Sequence, residues 1–324
     1  MRSTAARLSL AASAGLALLL TACAAPAATP PSVSSAVIEV VTSTNVYGDI
    51  VKAIGGDKVK VTSIITKTSQ DPHSYEASAQ DKLAVSKAKL VVENGGGYDD
   101  FLHKLADDTN VGHDNVVSAV EVSGLASEED QAHSIESASP AADEHSHSTG
   151  HFNEHVWYSL ASMGKLADAV AAKLSALDSA SAGTFTANAD TFKTSLTELE
   201  TKLDAAKAAG TAVPVAITEP VPLYLLEAAG LENKTPEAFS DAIEEGADVP
   251  PAVLKETTEL LGTKAVRLLA YNAQTEGPQT EAVKNAATAA GIPVVDFTET
   301  LPEGLDYLQW MTANVKNLTD ALGK

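Results

Sequence analysis

Phe185, Phe192, Leu196, Leu199, Leu203 and Ala206 recur at steps of three, four or seven, which lays one apolar stripe along a single long helix. That helix covers residues 184–210 and stops at Gly210. On both sides of it the chain alternates between β-branched apolar runs and helical patterns. Before it, Val37–Thr42, Val59–Ile65 and Leu90–Glu93 read as strands, with helices at Asn45–Ile54 and Gln80–Lys87. After it, Val213–Ile217, Ala265–Tyr271 and Pro293–Phe297 read as strands. Helices at Leu223–Ala229, Pro251–Leu261 and Thr280–Ala290 separate them, and Leu308–Ala321 closes the chain. Strand, helix, strand at this spacing predicts parallel βαβ units. The expected fold is α/β: an N-terminal lobe over 37–183, the connecting helix, and a C-terminal lobe over 211–324. Bending the helix would break backbone hydrogen bonds, so it is expected to be rigid and lobe closure modest.

The N-terminus speaks to location. Arg2 and Arg7 precede the Ala- and Leu-rich run Leu8–Leu20, which is shorter than the ~20 residues a membrane-spanning helix needs and reads as a secretory leader over residues 1–22. Leu20-Thr21-Ala22-Cys23 resembles a bacterial lipobox, with lipid carried on Cys23 after cleavage. Cys23 is the single cysteine of the chain, so no intramolecular disulfide and no Cys-rich metal site can form. Residues 23–36, rich in Ala, Pro, Ser and Thr, read as a flexible tether from that anchor. These features predict a lipoprotein held on the outer face of a bacterial cell membrane. The roughly 290 residues beyond the tether suffice for two domains of ordinary size.

The formal net charge is −21, from 22 basic and 43 acidic residues. Such a surface repels nucleic acid, whose binding rests on neutralising phosphates, and concentrates cations. Within 127–151 the apolar pattern dissolves into Ser, Ala, Glu, Asp and His, as expected of a loop.

Four polar groups could carry chemistry. Asp71-Pro72-His73 places His73 on a stiffened loop beyond a strand, where α/β folds hold ligands. Asn153-Glu154-His155-Val156-Trp157 puts His155 at the start of a helix. His151 and His155 are four apart, but Phe152 stands where a zinc protease carries its Glu, and no general base is placed for metallohydrolase chemistry. Thr218-Glu219-Pro220 follows the strand Val213–Ile217, mirroring the layout around His73. A fourth, Tyr271-Asn272-Ala273-Gln274, again follows a strand. Two imidazoles with oxygen ligands make a plausible shell for a divalent metal.

The ordered set Ile54-Gly55-Gly56-Asp57, Asp71–Glu76, Glu93–Tyr98, Glu154–Trp157 and Tyr224–Leu231 is similar to the metal-binding solute-binding lipoproteins of zinc and manganese ABC importers (cluster A-I). The resemblance implies one metal bound between two lobes, with His73 and His155 as ligands. It places Glu219 where zinc members usually carry a third His and manganese members often carry Glu. The family's fourth ligand is normally Asp or Glu after a C-lobe strand. Here Asn272 holds that position, as a weak ligand, as a hydrogen-bond support for one, or yielding to water or another residue. The resemblance also likens 127–151, with His133, His145, His147 and His151, to a metal-gathering His-rich loop. His103 and His113 read as surface residues.

These readings predict a binding protein and not an enzyme, acting as a monomer with an ABC permease and its ATPase. The expected cargo is Zn²⁺, with Mn²⁺ as the alternative; an adhesin or a metallochaperone remains in competition. The histidines must be neutral to ligate, so affinity is expected to fall below their ordinary pKa of about 6.5.

Overall fold

The computed structural model describes residues 37–109, 111–127, 152–208 and 212–323. Cys23, the leader and the tether lie outside the described residues, as do His133, His145, His147 and His151.

The first lobe runs β1 (Ile38–Thr44), α1 (Asn45–Gly55), β2 (Val59–Ile65), α2 (Ala79–Val85), β3 (Leu90–Glu93), α3 (Asp100–Asp108), β4 (Val116–Ser118) and α4 (Ala119–Ser123). Two backbone helices follow, α5 (Leu160–Leu177) and α6 (Ala182–Ala208). The second lobe runs β5 (Val213–Ile217), α7 (Leu223–Ala228), β6 (Leu231–Asn233), α8 (Glu237–Glu244), α9 (Pro251–Gly262), β7 (Leu269–Asn272), α10 (Pro278–Ala290) and β8 (Val294–Phe297). The closing helix is α11 (Tyr307–Ala321). Among the described residues no helix is long and apolar enough to cross a membrane.

Both sheets are parallel and repeat one order, β2-β1-β3-β4 and β6-β5-β7-β8. In each, the chain reverses its direction of travel at the first strand, and a doubly wound sheet presents ligands at the carboxyl ends beside such a reversal. The strands are covered on both faces, as parallel sheets are. Val40 faces a core shared with the helices while Val41 faces a separate cluster with Ile65, Val91 and Phe101. Val215 and Ala216 divide in the same way.

The shared core is continuous across the molecule. It joins Val40 and Ile50 of the first lobe to Leu166 of α5, Phe192 and Leu199 of α6, and Val215, Phe297 and Trp310 of the second. The whole stripe expected on α6 is buried. At ~1.5 Å per residue its 27 residues span about 40 Å. Hydrogen bonds tie the lobes directly. Tyr158 Oη donates to the Thr298 carbonyl at 2.8 Å and Tyr307 Oη to the Trp157 carbonyl at 2.7 Å. The Asn45 amide exchanges two bonds of 2.9 Å with the Leu301 backbone.

Local sequence explains several element ends. Ser78 and Asp81 form a capping box on α2, and Asp306 and Gln309 one on α11. Pro278 starts α10 and Gly291, at φ 69°, ends it.

Candidate metal centre

The first lobe's contribution rests on the turn after β3. The Asp99 carboxylate accepts the backbone N–H groups of Asn94 at 2.6 Å and Gly95 at 2.8 Å. Gly95, Gly96 and Gly97 all lie in the left-handed region, at φ 78°, 69° and 94°, where a Cβ is strained. A Cβ on Gly95 would also stand 2.4 Å from Ser118 Oγ. Burial, with Glu93 nearby, pushes the Asp99 carboxyl up to about 7. The turn brings the Asn94 amide onto the Glu154 carbonyl at 3.0 Å, and it inserts Tyr98 beneath both candidate imidazoles. The Tyr98 ring meets His73 edge-on at 5.0 Å and His155 at 5.9 Å.

His155 is 1% exposed, and its tautomer follows from its neighbour. Asn153 Nδ2 donates to the Pro220 carbonyl at 3.1 Å, and Asn153 Oδ1 accepts the His155 backbone N–H at 3.1 Å. The amide orientation is therefore set, and Oδ1 can only accept. His155 Nδ1, 2.7 Å from that oxygen, must carry the proton. Nε2 is left with a free lone pair, the arrangement typical of a metal-ligating histidine. Burial, then the nearby His73, lowers its pKa to about 3, so it is neutral at any ordinary pH. The expected helix start at His155 is displaced. Residues 152–155 are irregular, Val156–Tyr158 form one 3₁₀ turn, and α5 begins at Leu160 because Ser159 caps it. His155 therefore stands ahead of α5 and not on it.

His73 sits beyond β2, where Asp71 accepts from its backbone N–H at 2.9 Å and from Ser74 Oγ at 2.6 Å. Its side chain is one third exposed and its Nε2 lies 3.6 Å from Glu154 Oε1. Burial lowers its pKa, against the opposing pull of Asp71 and Asp100.

The second lobe brings carboxylates from its strand ends. Glu219 stands two residues beyond β5, Glu299 two residues beyond β8, and Asn272 closes β7. The Asn272 amide nitrogen donates to Glu219 Oε2 and, at 2.8 Å, to Glu299 Oε1. Thr275 Oγ1 adds a second donor on Glu219 Oε2, and Tyr98 Oη reaches Glu299 Oε2 at 3.3 Å. The Gln274 side-chain oxygen accepts the backbone N–H groups of Glu299 and Thr300 at 2.8 and 2.9 Å, fixing that loop.

His73, His155 and Glu299 each offer a ligand atom, and the three atoms lie within 4.8 Å of one another. Glu154, His155 and Glu244 form a second such trio. Glu244, at the end of α8, lies 3.8 Å from His155 Nδ1, and its Oε1 is buried without a hydrogen-bond partner. Glu219 joins neither trio. Burial first, then surrounding acids, pushes the carboxyls of Glu154 and Glu219 up to about 7 and that of Glu244 up to about 9; Glu299 is raised as well. The charged neighbours behind these shifts are other acids. Two neutral imidazoles among mutually repelling carboxylates fit a divalent cation, which relieves the repulsion and takes nitrogen and oxygen donors. Glu299, Glu154 and Glu244 were not anticipated as site residues. For Glu299 a signal existed: an acid two residues beyond a strand, the same offset as Glu219.

A family model described as zinc-uptake complex component A, periplasmic, matches residues 40–321. Manganese-binding lipoprotein MntA of Halalkalibacterium halodurans is 29% identical over 163 residues, 50% of this chain and 47% of that protein. The manganese ABC transporter substrate-binding lipoprotein PsaA of Streptococcus pneumoniae is 39% identical over 80 residues, 25% of this chain and 26% of its own. The match thus spans less than half the length of either relative. Among solved structures, the periplasmic zinc binding protein TroA of Treponema pallidum superposes with TM-score 0.69 at 20% identity, over 88% of this chain and 99% of its own. FpvC of Pseudomonas aeruginosa, solved with Mn²⁺, gives 0.68 at 22%, over 88% and 98%. The laminin-binding adhesin Lmb of Streptococcus agalactiae gives 0.68 at 21%, over 88% and 99%. At these identities the three share the fold.

Proposed function

Because this chain belongs to the zinc-uptake complex component A family, we propose that it captures one divalent transition-metal ion between its lobes outside the cytoplasm and delivers it to an ABC permease and its ATPase. The observation that carries the reading is the convergence of His73, His155 and Glu299 within 4.8 Å, inside a shell of buried acids. His73 and His155 ligate from the first lobe, and Glu299 and Glu219 from the second. Asn272 acts through hydrogen bonds to the two carboxylates. The protein binds and releases; it does not turn over. Zn²⁺ is the favoured cargo, since imidazole nitrogen suits it and affinity rises from Mn²⁺ to Zn²⁺ at most such sites. The number of hard oxygens around the imidazoles supports Mn²⁺ as the second reading. Residues 127–151 serve as an auxiliary collector through His133, His145, His147 and His151, and Cys23 carries the lipid that keeps a monomer at the membrane surface.

The test is competitive titration of metal-stripped protein with Zn²⁺ and Mn²⁺, alongside His155→Ala and Glu299→Ala. One tightly held ion per chain, lost in both variants, is expected. A tight site that survives in both variants would move capture elsewhere, the His-bearing segment first, and would overturn the assignment.

A further inference from the structure

Asn272 occupies a position where its residue type matters more than its size. It is 1% exposed, and its orientation is locked. Its backbone N–H donates to Thr218 Oγ1 at 2.8 Å, and its Oδ1 accepts the Gln274 N–H at 3.0 Å. The amide cannot turn over without losing that bond, so both of its N–H groups face the carboxylates. One goes to Glu219 Oε2 and the other to Glu299 Oε1. An aspartate here could donate to neither and would add a further repelling charge.

The consequence is an inequality between oxygens. Glu219 Oε2 takes two donors, Asn272 Nδ2 and Thr275 Oγ1, which fills both its lone pairs and leaves Oε1 as the open oxygen. Glu299 carries the Asn272 donor on Oε1 and the Tyr98 hydroxyl on Oε2. A carboxylate that chelates through both oxygens needs a free lone pair on each, aimed at the ion. We propose that Asn272 is the specificity-determining positioning residue of this site: with Thr275 it fills Glu219 Oε2 and holds that acid to ligation through Oε1, and its 2.8 Å bond competes with an ion for Glu299 Oε1, which favours ligation through Oε2, bonded only at 3.3 Å by Tyr98. Two imidazoles and two single oxygens make four donors, the number Zn²⁺ prefers, whereas Mn²⁺ prefers an octahedral, oxygen-rich shell. The inference rests on the assignment of His73, His155, Glu219 and Glu299 as the ligands.

The test uses the full metal-stripped chain and two variants, Asn272→Leu, which keeps volume and removes both donors, and Thr275→Val, which removes one hydroxyl from a half-buried loop. Zn²⁺ and Mn²⁺ affinities are measured by competition, and Co²⁺ is loaded as a spectroscopic probe, since its visible bands are intense at four-coordinate sites and weak at six-coordinate ones. The unaltered protein should give intense bands. Asn272→Leu should give weak ones, with the Zn²⁺-over-Mn²⁺ preference falling about tenfold or more, within the 10–100-fold range seen when a ligand's support is removed. Thr275→Val should move both readouts in the same direction by less. Unchanged band intensity and preference in Asn272→Leu overturns the proposal, and should that variant not fold, an unchanged Thr275→Val does so. Weak bands in the unaltered protein, abolished by His155→Ala, would leave the ligand assignment standing and sink the role of Asn272. Bands that persist in His155→Ala would instead remove the ligand assignment on which both depend.

Discussion

Replacing Glu219 with Gln should destroy the grip on metal and, in the metal-free protein, become steadily less costly to stability as pH rises from about 5 through neutrality. Burial is the largest cause of the raised Glu219 pKa, with the Glu299 charge adding to it against the Thr275 and Asn272 hydrogen bonds. A carboxyl raised in the folded state contributes stability that is fully present below its unfolded pKa and lost as pH rises through its folded one. The interval from 4.5 to about 7, at about 1.4 kcal/mol per pH unit, is worth about 3 kcal/mol. Linkage places about 2–3 kcal/mol of that loss between pH 5 and pH 8.5. The glutamine side chain of the variant cannot ionise and keeps an oxygen for the Asn272 and Thr275 donors. Its new amide N–H groups carry a cost, but the same cost at both pH values, so it cancels from the comparison. Urea unfolding of EDTA-treated protein at pH 5 and pH 8.5 therefore isolates the electrostatic part. The stability difference between Glu219→Gln and the parent should shift in favour of the variant by about 2–3 kcal/mol from the lower to the higher pH. A shift below about 1 kcal/mol, or of opposite sign, would show that Glu219 is not held as a raised acid.

Other substitutions probe separate parts of the molecule. Gly95→Ala forces a side chain to φ 78° and against Ser118 Oγ at 2.4 Å; a stability loss of about 1–3 kcal/mol in denaturant titration is expected. Tyr307→Phe strips the Trp157 carbonyl of its donor and should lower stability by about 1–2 kcal/mol while Zn²⁺ affinity, read by competition, changes little. His103 is held up at about 9, chiefly by its hydrogen bond to buried Glu93. That pair's contribution is whole below about pH 6.5 and fades as pH rises through about 9, so His103→Ala should destabilise more at pH 6 than at pH 9.5 in thermal melts. Stripping the metal should lower the melting temperature, since an ion at 100 times its Kd stabilises by about 2.7 kcal/mol. Zn²⁺ affinity should fall between pH 8 and pH 6 as Glu154 and Glu219, near 7, take up protons. His155, at about 3, is not the group that titrates there, which corrects the expectation that neutral-range acidification acts through it.

How legible the molecule was depended on how far each feature shows itself locally. The stripe on α6 and the runs of β1, β2, β3 and β5 announce themselves by period, and the resemblance picked out His73, His155 and Glu219. β4 and β6 are three residues each, too short to display alternation; they exist because β3 and β5 offer an edge. The run from Ala265 has a strand's composition, yet β7 starts at Leu269, after Lys264 takes a left-handed turn at φ 56°. Glu244 was invisible because its place at the site depends on how α8 packs, which no local pattern reports. Asn272 drew notice through its departure from a family pattern, but its two carboxylate partners come from strands 53 and 27 residues away, and only the folded sheet brings them together.

A chain with two separate sheets invites the expectation of two melting transitions. The core that passes from Val40 through Phe192 to Phe297, with the tyrosine hydroxyls that reach across from Tyr158 and Tyr307, argues for one. Neither half owns the interior that faces α6, so neither can lose it alone. Calorimetric and van't Hoff enthalpies of unfolding should then agree, and occupancy of the junction by an ion should slow amide exchange in β2 and in α11 alike. Any sufficiently protected amide in the protein thereby becomes a reporter of whether the site is filled.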